Sequence, residues 1–215
     1  MTEPLNAKKE EAIKSSVAEI PTIIGTAMGG GFYAGRIRQD GKAFALIVSP
    51  KAEGEHEDAE WNDSYEEIEV AKSYFDGLAN TNAMVEAGSD LAKWARGLAI
   101  GGNDDWYLPS QDELEIIYRN LKPTTDENSG YARSGINLSA VEPTRPYLPS
   151  LPAQTLAEAF QEGGSEAFDD VGYWSSTQHA SYSGYAWIQI FDGGLQGYDS
   201  EDINYRARAV RRLEI

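Results

Sequence analysis

The stretch from Gln178 to Tyr205 carries the side chains best suited to contact another molecule: Gln178, His179, Tyr182, Tyr185, Trp187, Gln189, Tyr198, Asp199, Ser200, Asn204 and Tyr205. Tyr and Trp supply large rigid faces at low entropic cost, while Ser, Asn and Gln supply polar groups that re-pair with different ligands. The chemistry implied is noncovalent: ring stacking and apolar contact, oriented by hydrogen bonds. Alternate residues of a half-buried sheet point inward, so about half the set is expected at the surface, with Trp187 or Tyr185 as candidates to face the core.

Covalent chemistry has fewer candidates. The absence of Cys removes thiol catalysis, zinc–thiolate sites and disulfides. The two histidines, His56 in an acidic run and His179 in a loop, lie in no nucleophile motif, so no catalytic residue is assigned. Asp199-Ser200-Glu201-Asp202 matches no standard calcium loop; no cofactor or metal is expected, and a structural calcium has no standard motif behind it. Gly29-Gly30-Gly31 lacks the following Lys-Ser or Lys-Thr helix of a phosphate loop. Glu53 to Glu69 holds nine acidic residues and no Lys or Arg. It reads as a solvated loop, with calcium capture as the sharper alternative.

The elements that must position these residues follow from periodicity. Ile13, Val17 and Ile20 make a narrow helical stripe closed by Pro21, read as a docking or oligomerisation helix over residues 1–21, or else as a frayed leader. Residues 22–215 form the domain. Asp40-Gly41 between apolar runs marks a hairpin. Ile68, Ala71, Phe75 and Leu78 repeat at helical spacing, as do Met84, Ala87, Leu91, Trp94 and Leu98, with stop and cap residues at Asp76-Gly77 and Asn80-Thr81-Asn82 between them. Ser110 with Glu113 forms a capping box for a helix that turns Leu114, Ile117, Tyr118 and Leu121 inward. Lys122 to Pro152 reads as a long surface loop, and Leu156, Ala159 and Phe160 as a short helix. Strands at 172–177, 184–191, 195–198 and 205–213 have the spacing of an antiparallel meander, and helices ahead of a small sheet imply an α+β fold.

Composition narrows the class. A chain of 215 residues with 41% hydrophobic content supports one domain with a small appendage. No apolar run reaches membrane-spanning length, and the N-terminal residues carry no apolar core of a secretion signal. A net charge of −17 argues against binding the nucleic-acid backbone. Trp106 and Trp174, beside polar turns, are expected to anchor the core. Arg208 and Arg211, in so acidic a chain, are expected to pair with carboxylates for structure.

Three ordered segments carry a family resemblance. Asp105-Trp106-Tyr107-Leu108-Pro109-Ser110-Gln111-Asp112-Glu113-Leu114, then Tyr173-Trp174-Ser175-Ser176-Thr177, then Arg208-Ala209-Val210-Arg211 resemble the Lcl C-terminal domain family over roughly residues 22 to 213. The resemblance implies a C-type-lectin-like fold with a small antiparallel sheet, two to three helices and long loops. It marks Trp106, Leu108, Pro109, Ser110, Glu113, Leu114, Trp174, Ser175, Ser176, Arg208, Val210 and Arg211 as structural motif residues. Such domains recur in tailed-phage virion proteins and bacterial surface adhesins. Departures matter: Glu142-Pro143 is followed by Thr144 rather than the residue of a sugar-binding calcium loop, Trp61-Asn62-Asp63 comes too early, and formylglycine-type chemistry needs cysteines.

The expectation is therefore a non-enzymatic virion protein, a tail or baseplate tip or fibre module, made in the host cytoplasm and presenting the 178–205 surface to a host receptor or glycan. Its partners would be other virion proteins and sister copies in a homo-oligomer, with a trimer as one plausible form, and with no nucleic acid and no membrane span. The alternatives are a structural or decoration protein whose surface is a subunit interface, and a bacterial adhesin.

Overall fold

A computed structural model describes residues 20–129 and 136–215. The helix expected over 1–21 lies, apart from Ile20 and Pro21, outside the described residues. The chain is an α+β protein with two sheets. It enters through β1 (Ala27–Met28), β2 (Gly31–Gln39) and β3 (Lys42–Val48). Asp40 and Gly41, at φ 49° and 79°, turn β2 into β3 as the tight hairpin requires. A single turn, α1 (Lys51–Gly54), leads to β4 (Glu55–Ala59). Then come α2 (Gly77–Glu86), α3 (Asp90–Arg96) and α4 (Gln111–Leu121). Five strands close the chain: β5 (Gly172–Gln178), β6 (Tyr185–Ile190), β7 (Gln196–Ser200), β8 (Tyr205–Arg208) and β9 (Val210–Glu214).

The first sheet has the order β1-β2-β3-β9 and the second β4-β8-β5-β6-β7. The single small meander expected from the sequence is corrected: only β5, β6 and β7 run as one. The stretch 205–213 is two strands in different sheets, broken at Ala209. Its N–H donates to the Gly54 carbonyl (2.9 Å) and its carbonyl accepts from Ser49 N–H (3.0 Å), so the chain crosses between sheets there without losing hydrogen bonds. β8 then lies parallel to β5, with Arg206 beside Tyr173.

Other expectations change as well. The acidic run is not a solvated loop throughout. Its first part is α1 and β4, where Glu55 pairs in register with Arg208 and its carboxylate meets Arg206 at 3.1 Å, and Trp61 and Asn62 are buried. Ile68 to Leu78 is not one helix, because Glu69–Lys72 is a 3₁₀ turn. The Asp76 side chain then accepts from Ala79 N–H (3.1 Å) and starts α2, leaving Phe75 exposed. Asn80 and Thr81 are buried inside α2 rather than capping it. The second pattern is split between α2 and α3 by Gly88 at φ 103° and by Ser89, whose hydroxyl accepts from Ala92 N–H. The short helix around Leu156 reduces to a 3₁₀ turn, Glu158–Phe160, with Phe160 buried and Leu156 exposed.

α4 follows its capping box: Ser110 N–H donates to Glu113 Oε2 (2.8 Å) and Glu113 N–H to Ser110 Oγ (3.3 Å). Leu114, Ile117, Tyr118 and Leu121 face an apolar layer with Ile37, Leu46, Val48, Tyr173 and Phe191. A second layer packs α2 and α3 on the five-stranded sheet through Trp61, Met84, Leu91, Trp174 and Ile188. The three motif segments meet between these layers. Ser176 N–H donates to the Pro109 carbonyl (2.7 Å), Tyr107 and Val210 exchange backbone bonds (2.9 and 2.8 Å), and Arg211 clamps Asp105 (2.6 and 2.9 Å). Trp106 and Trp174 are fully buried, their ring N–H groups donating to the carbonyls of Asn103 and Ala59. Arg208, also buried, donates to the Ser49 carbonyl and to the Glu166 carboxylate at 2.6 Å. No helix among the described residues is long and apolar enough to cross a membrane.

Candidate functional site

The β6–β7 hairpin presents a two-sided surface. Along β6, Ala186 and Ile188 are buried while Tyr185 and Trp187 point the other way, as strand alternation dictates. Residues directly opposite in an antiparallel pair share a face. The register sets Tyr185 against Ser200 and Trp187 against Tyr198, so two Tyr and one Trp crowd the outer face.

The 179–184 loop folds back over that face. His179 Nδ1 accepts from the backbone N–H groups of Ser181 (3.2 Å) and Tyr182 (3.1 Å), which bends the loop into a tight cap. Its ring stacks on Tyr182 (centroids 4.7 Å apart) and Trp187 (5.5 Å) and tilts against Tyr198 (4.4 Å). Tyr185 contacts Tyr182 and Tyr198 edgewise at 6.2 and 6.0 Å. Five rings thus form one patch, and Tyr182, Tyr185 and Tyr198 remain 56%, 41% and 46% exposed. Burial pushes the His179 pKa below its ordinary value, and Nδ1 already serves as an acceptor, so the imidazole is neutral with its proton on Nε2.

A buried polar network holds the patch from below. Gln178 Nε2 donates to the Glu66 carbonyl (2.8 Å) and to Glu201 Oε1 (2.9 Å), and Gln178 Oε1 accepts from Ile68 N–H (2.8 Å). Glu201 is bonded through its own backbone to Gly184 and Trp61. Its carboxyl is fully buried, and desolvation raises its pKa to about 7, opposed by the Gln178 amide.

The eleven candidates therefore separate. His179, Tyr182, Tyr185, Trp187 and Tyr198 come together. Gln178 and Gln189 do not belong to the exposed surface: both are buried, Gln178 as the crosslink just described and Gln189 on the part of β6 next to the Gln111–Gln196 pair. Asp199 and Tyr205 lie away from the rings. The Tyr205 hydroxyl donates to Asp199 (2.8 Å), its ring packs edge-on against Trp174, and burial followed by the Asp199 contact raises its pKa to about 12. Ser200 lies at the edge of the patch. Asn204 lines a separate open cleft of about 550 Å³ with His56, Asp58, Asp63, Asp90 and Lys93.

The carboxylates of 199, 201 and 202 diverge, bonding to Tyr205, Gln178 and Ser200 respectively. Among the described residues no group of three or more His, Asp or Glu is placed to hold a metal ion. Two contributors escaped the sequence reading. Tyr74 contacts Trp187 at 6.4 Å, and Tyr65 packs on Gly184. Both come from the segment before α2, more than a hundred residues away, and no local pattern links them to the hairpin. The arrangement provides stacking faces and a neutral imidazole, the equipment of a binding surface.

Compared with known families, residues 52–211 match the model of the Lcl C-terminal domain. Comparison with curated proteins returns no match.

Proposed function

The chain belongs to the Lcl C-terminal domain family, and from that premise we propose that it is a non-enzymatic recognition module with a C-type-lectin-like fold, working in a tailed-phage virion as a tail or baseplate tip or fibre domain. The five-ring patch contacts a host receptor or glycan, without a cofactor. The observation that carries this reading is the mutual stacking of His179, Tyr182, Trp187 and Tyr198 on an exposed hairpin. Aromatic groups held rigid in the free protein lose little entropy on binding and form the hot spots of recognition surfaces. The virion setting is supported by the recurrence of this family in phage particles. Association of copies raises weak single-site binding through multivalency.

The test is host-cell adsorption by particles carrying Tyr182→Ala with Tyr198→Ala. Both side chains are about half exposed, so the fold should persist and adsorption should be lost. Normal adsorption by a folded double variant refutes the assignment. A particle structure in which a sister subunit covers the rings refutes it in favour of a purely structural role.

A further inference from the structure

The charge around the ring patch restricts its partner. From Gln178 to Tyr205 there is no Lys or Arg, while the exposed Asp202 accepts from the Ser200 hydroxyl at the edge of the patch. The segment that packs beneath the hairpin, Tyr65 to Glu69, adds Glu66, Glu67 and Glu69 and no Lys or Arg. The nearest following base, Lys72, is held by Glu67 and by Glu69 (2.7 Å). His179, at the centre, is neutral. An anionic ligand would meet π faces and carboxylates together, both repulsive.

Ring geometry narrows the choice among cations. The centroids lie 4.4 to 6.2 Å apart, so the rings fill one another's space and enclose no box for a bulky ammonium group. What remains is a pavement of exposed Tyr faces, which suits a planar guanidinium laid flat on a ring. The fold uses the same pairing internally, with Arg119 placed 4.7 Å from the centroid of Tyr147.

We infer that the patch takes arginine side chains from a basic segment of a partner protein, stacking them on Tyr182, Tyr185 and Tyr198 within the acidic surround. This rests on the recognition reading above and names the chemistry of its partner. The test is calorimetric titration of the full chain with an unstructured peptide bearing three arginines, its lysine counterpart, and heparin as a polyanion. The arginine peptide should bind, the lysine peptide more weakly, and heparin not at all.

Tyr182→Ala with Tyr198→Ala should weaken the arginine peptide about tenfold, the worth of two exposed cation–π contacts. Tyr198→Phe, which keeps the ring, should bind like the parent. Equal binding of the arginine peptide to the double-alanine variant overturns the inference in favour of diffuse attraction to the net charge. Heparin binding that the same variant loses overturns it in favour of an acidic glycan. If the variant loses host adsorption while the arginine peptide never binds the parent, the arginine assignment falls and the recognition surface stands.

Discussion

Replacing Glu201 with Gln should remove a pH-dependent weakness from beneath the ring patch. Glu201 ties three segments together: its N–H donates to Gly184, its carbonyl accepts from Trp61, and its Oε1 accepts from Gln178. Among the described residues Oε2 is buried without a hydrogen-bond partner. The folded protein therefore keeps this carboxyl protonated up to about pH 7, whereas an unfolded Glu ionises near its ordinary 4.5. Below pH 4.5 both states are protonated and the group has no effect. Between 4.5 and about 7 the unfolded chain has released the proton and the folded one has not, so stability falls as pH rises, then levels off.

A gap of that size corresponds to about 3 kcal/mol at the plateau, at roughly 1.4 kcal/mol per pH unit. Water entering beside the ionised carboxylate reduces this, and about 2 kcal/mol is expected. Glutamine keeps the acceptor for Gln178 and is neutral throughout. Glu201→Gln should therefore melt about 4–8 °C higher than the parent at pH 9 and close to the parent at pH 4.5. Thermal unfolding at both pH values, with urea titrations alongside, measures it. A variant whose advantage is the same at both pH values, or which melts lower at pH 9, refutes the assignment of a buried protonated Glu201.

His179 works in the opposite direction. With its folded pKa below about 6.5, stability is complete above that value and declines as pH drops toward the folded pKa, because the unfolded imidazole takes up the proton first; an NMR titration midpoint at or above 6.5 would contradict the half-buried, Nδ1-accepting geometry. The two motif arginines should differ sharply in chemical denaturation. Arg208→Met strips the buried guanidinium from Glu166 and from the Ser49 carbonyl, while Glu55 keeps Arg206, and should cost about 3 kcal/mol, whereas Arg211→Met releases the half-exposed Asp105 to water and should cost about 1–2 kcal/mol. Equal losses would show that burial does not set the worth of these pairs.

Much of the scaffold is legible in the sequence. The Ser110–Glu113 capping box, the Asp40-Gly41 hairpin, the buried Trp106 and Trp174, and the α+β class rest on local patterns: a cap three residues from its partner, a turn pair, or an apolar residue flanked by turns. Such signals are complete within a few positions of the chain. The acidic run misled for the same reason in reverse. Glu55 and its neighbours look like a solvated loop until Arg206 and Arg208, about 150 residues later, supply the cations that make β4 a strand.

Composition alone marked Gln178 to Tyr205 as a candidate contact surface, and strand alternation implied that part of it would be hidden. Which part was a tertiary decision. The β6–β7 register put Trp187 beside Tyr198, the two backbone bonds to His179 folded its ring onto theirs, and burial beneath the hairpin turned Gln178 from a candidate contact into a support bonded to Glu201. Tyr65 and Tyr74 joined from a segment whose sequence gives no sign of the hairpin. A side chain's type is written in the sequence, but its neighbours and its access to water depend on contacts between distant segments, and those exist only once the chain has folded.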